Sequence, residues 1–194
     1  MTPRPSQREA IMSAALACFA RNGYDATRIR DISQAAGVSD GALYRHFTSK
    51  EVLGRGLHMQ AISTLTAELA AREQAESPAD ALREIAFRVL ALYRERPDAF
   101  VFALVQAPPS AAGSMPADPD LPVDVLARII KRGQVSGDVR AGNPRVLAAS
   151  FLGCLLQPIA LSLSAPGCVH DVLGDNTADD TIVEAALGSL GIDE

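Results

Sequence analysis

Apolar residues recur at helical spacing along most of the chain, and no segment alternates apolar and polar positions as a strand would. Ser6 to Glu9 has the S-x-x-E form of a capping box and opens a first helix to about Asn22. Thr27 is a suitable N-cap for a second helix, with Ile29, Ile32 and Ala36 on one face and Gly37 ending it. Ser39 caps a third, short helix. Leu43 and Phe47, four apart, would hold it down while Asp40, Gly41, Ala42, Tyr44 and Arg45 face outward. Ser49 caps a fourth helix to about Glu73, with Leu53, Leu57, Ala61, Leu65 and Leu69 along one side. Ser77-Pro78 opens a fifth, striped by Leu82, Ile85, Ala86, Val89, Leu90 and Tyr93. Pro97 closes it and starts a sixth, with Phe100, Phe102, Leu104 and Val105. Residues 107–120, rich in Pro and Ala, read as a loop. A seventh helix runs from about Leu121 to Arg132, an uncharged eighth follows a Gly-rich segment, and a ninth covers about Ala178 to Leu190. The pattern predicts an all-α chain of about nine helices.

The second and third helices carry the chemistry. Two short helices joined at a glycine have the layout of a helix-turn-helix, whose second helix enters the major groove of DNA. Thr27, Arg28, Tyr44, His46 and Lys50 are all able to donate to phosphate oxygens, and the N-terminus of the third helix, at Ser39, adds backbone donors. Arg45 can donate twice to a guanine edge, and the Ala42 methyl can meet a thymine methyl. Small residues such as Gly41 allow close approach. The same pattern is also compatible with a solvated pair of helices that binds nothing.

Residues 8–57 resemble the amino-terminal domain of the TetR family of transcriptional regulators. The likeness is carried by Ile11, Ala14, Ala15, Phe19 and Gly23, then Thr27 and Asp31-Ile32. It continues through Ala35-Ala36-Gly37-Val38-Ser39, Gly41-Ala42-Leu43-Tyr44, Phe47, Ser49-Lys50-Glu51 and Leu53. It implies phosphate contacts at Thr27, Arg28, Tyr44, His46 and Lys50, and places Asp40, Ala42 and Arg45 near bases. It also implies a three-helix DNA-binding domain over residues 1–50. A helical-bundle domain for ligand binding and dimerisation would follow over 51–194. Two positions depart from the family pattern. Ser33 stands where alanine is favoured, at the crossing of the two helices. Asp40 stands where lysine, proline or a small polar residue is frequent; its charge repels phosphate but can accept from a cytosine amino group.

A net charge of −5 looks wrong for a DNA binder until it is divided. Residues 1–53 hold seven Lys/Arg against five Asp/Glu, and the remainder holds eleven against eighteen. The basic excess therefore lies with the helix-turn-helix. The cysteines (Cys18, Cys154, Cys168) lack metal-ligand spacing; Cys18 and Cys154 lie in apolar stretches and read as small hydrophobes, and Cys168 as the thiol open to a redox role. The start of the chain has no apolar run of a signal peptide, which with the thiols suggests a cytoplasmic protein. Histidines 46, 58 and 170 are scattered, and no nucleophile–base set, metal motif or phosphate loop is visible. We expect no catalytic residues, no metal and no cofactor, and so no enzyme.

From Val146 to Val169 there are 24 residues without a charge, enough to cross a bilayer, which takes about 20 apolar residues. Ser150, Gln157, Pro158, Ser162 and Ser164 interrupt the run, which favours a helix buried in protein over a membrane span. In TetR-like proteins the last two helices pair with those of a second copy, and Pro158 should kink this one. The expected function is a homodimeric regulator, more in keeping with a repressor than an activator, that binds double-stranded operator DNA and a small-molecule effector. Candidate ligand contacts are Phe87, Leu90, Tyr93, Phe100, Val105, Leu126 and Leu155, although stripes of this kind more often fill a plain helical core. The rival readings are a small helical enzyme and a dimeric ligand-binding protein whose helix-turn-helix is only scaffold.

Overall fold

The computed structural model describes residues 6–104, 120–164 and 176–192. Val105, Cys168, His170 and most of the expected 107–120 loop lie outside the described residues. Among the described residues there are nine helices and no strand. They are α1 (Gln7–Asn22), α2 (Ile29–Ala36), α3 (Asp40–His46), α4 (Lys50–Ala70), α5 (Pro78–Glu95), α6 (Pro97–Leu104), α7 (Pro122–Ser136), α8 (Pro144–Ser164) and α9 (Asp179–Gly188).

Most helix starts follow the local chemistry. The Ser6 hydroxyl accepts from Glu9 N–H at 3.3 Å and the Glu9 carboxylate accepts from Ser6 N–H at 2.7 Å, completing the capping box. Those bonds hold the Glu9 carboxyl below its ordinary pKa. Ser49 and Ser77 accept from Val52 N–H at 3.2 Å and Asp80 N–H at 3.1 Å. Thr27 is a correction. The N-cap of α2 is Arg28, whose N–H donates to Asp31 Oδ2 at 2.8 Å. α7 is another, running a turn beyond the expected end at Arg132. Gly133 is an inward contact, not a stop: a Cβ there would come 2.4 Å from Val139 Cγ2. Gly137, left-handed at φ 90°, ends the helix instead. α8 begins at Pro144, with Asn143 Oδ1 accepting from Arg145 N–H at 3.0 Å, and continues through Pro158.

The chain divides into two compact units. The first holds α1 to α3, α4 as far as Ile62, and α6. Its core joins Ile11, Ala15, Phe19, Ile32, Leu43, Phe47, Leu53 and Phe102. Phe102 of α6 is fully buried and stacks on Phe19 of α1, ring centroids 5.1 Å apart and planes 17° apart. The expected division at residue 50 had left α6 and all of α4 with the carboxyl-terminal domain. Leu57 of α4, on the far side of that division, belongs to this amino-terminal core.

The second unit holds the rest of α4, from Ser63, with α5, α7, α8 and α9. α5 packs against α7, α8 and α9, and α8 packs between α7 and α9. Each helix turns one stripe inward: Leu82, Ile85, Val89 and Leu90 of α5; Leu126, Ile129 and Ile130 of α7; Phe151, Leu155 and Ile159 of α8; Val183 and Leu187 of α9. Arginines tie the rim. Arg128 bridges Glu73 at 2.5 Å and Asp120 at 2.9 Å, Arg132 donates to the carbonyls of Glu73 and Ala75, and Arg94 pairs with Asp179. The Arg128 bonds hold the Glu73 carboxyl below its ordinary pKa. Its contribution to stability is therefore complete above that ordinary value and is lost as pH falls through the lowered one.

The aromatic stack makes a local prediction. Phe102→Ala should cost about 3–5 kcal/mol, the range for emptying a buried Phe site. Amide exchange should rise across α1 and stay slow in α8. Unchanged protection of α1 would show that α6 does not support the first unit.

Candidate nucleic-acid interface

The surface is built from the turn outward. Gly37 is left-handed at φ 66°, which ends α2 and reverses the chain within two residues. Ser39 then accepts from Ala42 N–H at 3.2 Å and starts α3. Leu43 and Phe47 point into the core, so the helix is held along one side. The other side is open: Ser39, Asp40, Gly41, Tyr44, Arg45 and His46 are exposed, as is Arg28 at the start of α2. Tyr44 is 51% exposed, unusual for a large aromatic side chain. A Cβ built on Gly41 would meet nothing within 4 Å, so another molecule can approach the α3 backbone there. His46 lies against α1, with Nε2 3.0 Å from Gln7 Oε1, and Arg8 lies over the Phe47 ring, 5.2 Å from its centre.

Three expected contacts are placed otherwise. Ala42 is 5% exposed; the spacing that turns Leu43 inward turns its neighbour partly inward too, so its methyl is no outward contact. Thr27 is 1% exposed, with its hydroxyl 2.7 Å from the Gly23 carbonyl and 3.2 Å from the Cys18 carbonyl, donating inward. Lys50 is half-buried. Its ammonium donates to the carbonyls of Tyr24 (3.0 Å), Asp25 (3.2 Å) and Thr27 (3.1 Å), using all three N–H bonds on the α1–α2 connection. It also sits 4.6 Å from the centre of the Tyr24 ring. Gly54 makes room for that ring, since a Cβ there would come 2.6 Å from Tyr24 Cε2. The Tyr24 hydroxyl is buried without a hydrogen-bond partner among the described residues, and burial pushes its pKa up. Burial likewise pushes up the Cys18 thiol, as expected of a small core residue.

Sequence reasoning missed Gln7, Arg8 and Tyr24 as neighbours of the α3 end and Lys50, because nothing local marks a contact over 26 to 39 residues. It also missed that Ser33 donates to Asp40 Oδ1.

The seven residues expected to contact a ligand do not share one unit. Leu90, Leu126 and Leu155 are fully buried in the second, where Phe87 and Tyr93 are partly exposed. Phe100 belongs to the first. Among the described residues no group of three or more His, Cys, Asp or Glu is placed to hold a metal.

Residues 11–55 match the family model described as bacterial regulatory proteins, tetR family. Over 145 residues the chain is 28% identical to the HTH-type transcriptional regulator RutR of Escherichia coli K12, covering 73% of this chain and 68% of that one. Over 46 residues it is 48% identical to the HTH-type transcriptional repressor KstR2 of Mycobacterium tuberculosis, 24% of this chain and 23% of that one. Among solved structures it superposes on the TetR family transcriptional regulator PfmR of Thermus thermophilus with a TM-score of 0.69. The identity is 26%, over 89% of this chain and 96% of that one.

The placement of Lys50 is testable. Lys50→Ala leaves three carbonyls without their donor and should cost about 2 kcal/mol, the scale of hydrogen bonds to a charged group. A lowered melting temperature would confirm it. An unchanged melting temperature, with a DNA salt slope shallower by about one unit, would return Lys50 to phosphate contact.

Proposed function

We propose that this chain, whose residues 11–55 match the tetR family model, is a TetR-type transcriptional regulator and a homodimeric repressor. It grips operator DNA through α3 and releases it when an apolar small molecule binds the second unit. The observation that carries the reading is the free face of α3, with Arg45 and Tyr44 projecting from a helix whose other side is anchored. Arg28, Tyr44 and His46 face phosphates and set the position of the domain; Arg45 reads a guanine edge. Repression, rather than activation, is supported by the likeness of this domain to that of KstR2.

The second copy is argued from α8. Its inner stripe is buried, yet Val146 and Leu161 are exposed and Leu152 and Leu156 half-buried on the rest of the helix. The span Pro144–Ser162 is long and apolar enough to cross a membrane, with a mean hydropathy of 1.5. Exposed Ser150 and Gln157 on that outer face favour a protein partner over lipid. Small exposed residues of α9, Ala185 and Gly188, permit close packing of a second copy. Two-fold symmetry then presents two α3 helices about 34–36 Å apart, one turn of DNA. The effector would enter among Leu90, Leu126 and Leu155, with the half-exposed Phe87 and Tyr93 at the margin.

Leu156→Arg should give monomers or aggregates with unchanged helical content; clean dimers by light scattering would exclude this face. Arg45→Ala should weaken selected operator by about 1–3 kcal/mol and random DNA far less. Coupling is read by titrating a small molecule, found by thermal-shift screening, with and without operator. A tenfold loss of operator affinity requires about 1.4 kcal/mol of differential binding, and by linkage the operator must weaken the ligand equally. Equal ligand affinity in both titrations would leave a DNA binder without an inducer. Failure to retard any DNA would leave a ligand-binding protein with a helix-turn-helix scaffold.

A further inference from the structure

We propose that Asp40 reads a cytosine in each operator half-site and that Ser33 is the residue that positions its carboxylate to do so. The inference rests on α3 being the recognition helix. It begins from a coincidence: the two positions that depart from the family pattern, 33 and 40, are hydrogen-bonded to each other. Ser33 lies in α2, 2% exposed, and its hydroxyl donates to Asp40 Oδ1. The Arg30 carbonyl, 3.1 Å from the same hydroxyl, competes for one proton, and the ionised carboxylate is the stronger acceptor.

Asp40 is the first residue of α3 and is exposed. The first residues of a recognition helix are the ones that reach base edges. An aspartate on a mobile rotamer would lose freedom on meeting a base. Here one carboxylate oxygen is already fixed from below, by a residue of the neighbouring helix. Oδ2 has no hydrogen bond, and no Arg or Lys pairs with the carboxylate, among the described residues. The free oxygen is an acceptor and nothing else.

That chemistry selects one base. In the major groove guanine presents two acceptors and thymine an acceptor and a methyl, so both repel or leave the carboxylate unsatisfied. Adenine offers an amino group beside the N7 lone pair, which opposes a second oxygen. Cytosine offers its amino group with a C–H, not an acceptor, beside it on the same base. The carboxylate contributes nothing to phosphate attraction and works against it, so its contribution is confined to discrimination. A purely structural role is the alternative: an acid in the first turn of a helix favours the helix dipole. The two roles differ in what they do to base preference.

The test is selection from a randomised duplex pool with the full-length protein and with Asp40→Ala, Asp40→Asn and Ser33→Ala. The wild type should enrich a half-site with one position where cytosine is preferred on the order of tenfold or more. Asp40→Ala should erase the preference at that position and keep the others. Asp40→Asn, the same size, puts an amide N–H donor where the free oxygen was, so it should lose cytosine and favour a base that presents an acceptor there. Ser33→Ala should weaken the same preference severalfold without touching the remaining positions. An enriched half-site that Asp40→Ala leaves unchanged overturns the assignment alone. A half-site altered by Asp40→Ala but not by Ser33→Ala removes Ser33 from the positioning role. No enrichment by the wild type overturns the DNA-binding reading beneath it, and this proposal with it.

Discussion

A helix of seven residues does not hold together by itself. Isolated helices shorter than about 12–15 residues are marginal in water, because nucleation fixes several residues before hydrogen bonding compensates. α3 is such a helix, and the proposed reading surface exists only because Leu43 and Phe47 anchor it to a core. That core is itself small. Three short helices enclose little apolar volume, and small domains are marginal for that reason. The first part of α4 and the whole of α6 supply the missing walls, through Leu53, Leu57 and Phe102. The order of α3 thus depends on a phenylalanine more than fifty residues away in sequence.

The second constraint is that buried backbone needs partners. The connection between α1 and α2 turns too sharply for a helical ladder, and the carbonyls of Gly23, Tyr24, Asp25 and Thr27 would otherwise be open. Thr27 and Lys50 close them, one with a hydroxyl and one with an ammonium. These are donors of the kind that bind phosphate. Their type was visible in the sequence; their direction is decided by the fold, which turns both inward. Of the side chains expected at phosphates or bases, Arg28, Tyr44, Arg45 and His46 stay exposed, as does the start of α3.

Legibility followed locality. Caps and stripes repeat within a few residues, so the nine described helices, the glycine turn at Gly37 and the capping box at Ser6 could be read directly. Features set by contacts distant in sequence could not. Leu57 is on the expected face of α4 but in the other core. Gly133 looks like a helix stop and is a packing contact with Val139. Ala42 sits one position before an anchor, and no periodicity fixes whether a short helix buries two or three residues. Ser33 and Asp40 stand in the sequence as separate departures; only the fold brings them together.

The sparse set of donors has a consequence for assembly. A protomer whose amino-terminal stretch carries an excess of only two positive charges, with Lys50 committed to its own backbone, has little counterion release to draw on. Asp40 is one of the five acids that bring the excess down to two. A single copy would then bind any DNA weakly and lose most of that at moderate salt. The proposed joining of two copies through α8 would alter this without a new contact to DNA, since a second α3 would bind at the high effective concentration set by the first. The same step also multiplies discrimination, because each half-site is read separately and the preferences combine. On this argument the exposed apolar face of α8 and the acidic first residue of α3 belong together. On the proposed reading, a domain that gives up phosphate attraction for base selectivity would need a partner copy, and the exposed apolar positions of α8 are the surface proposed to hold one.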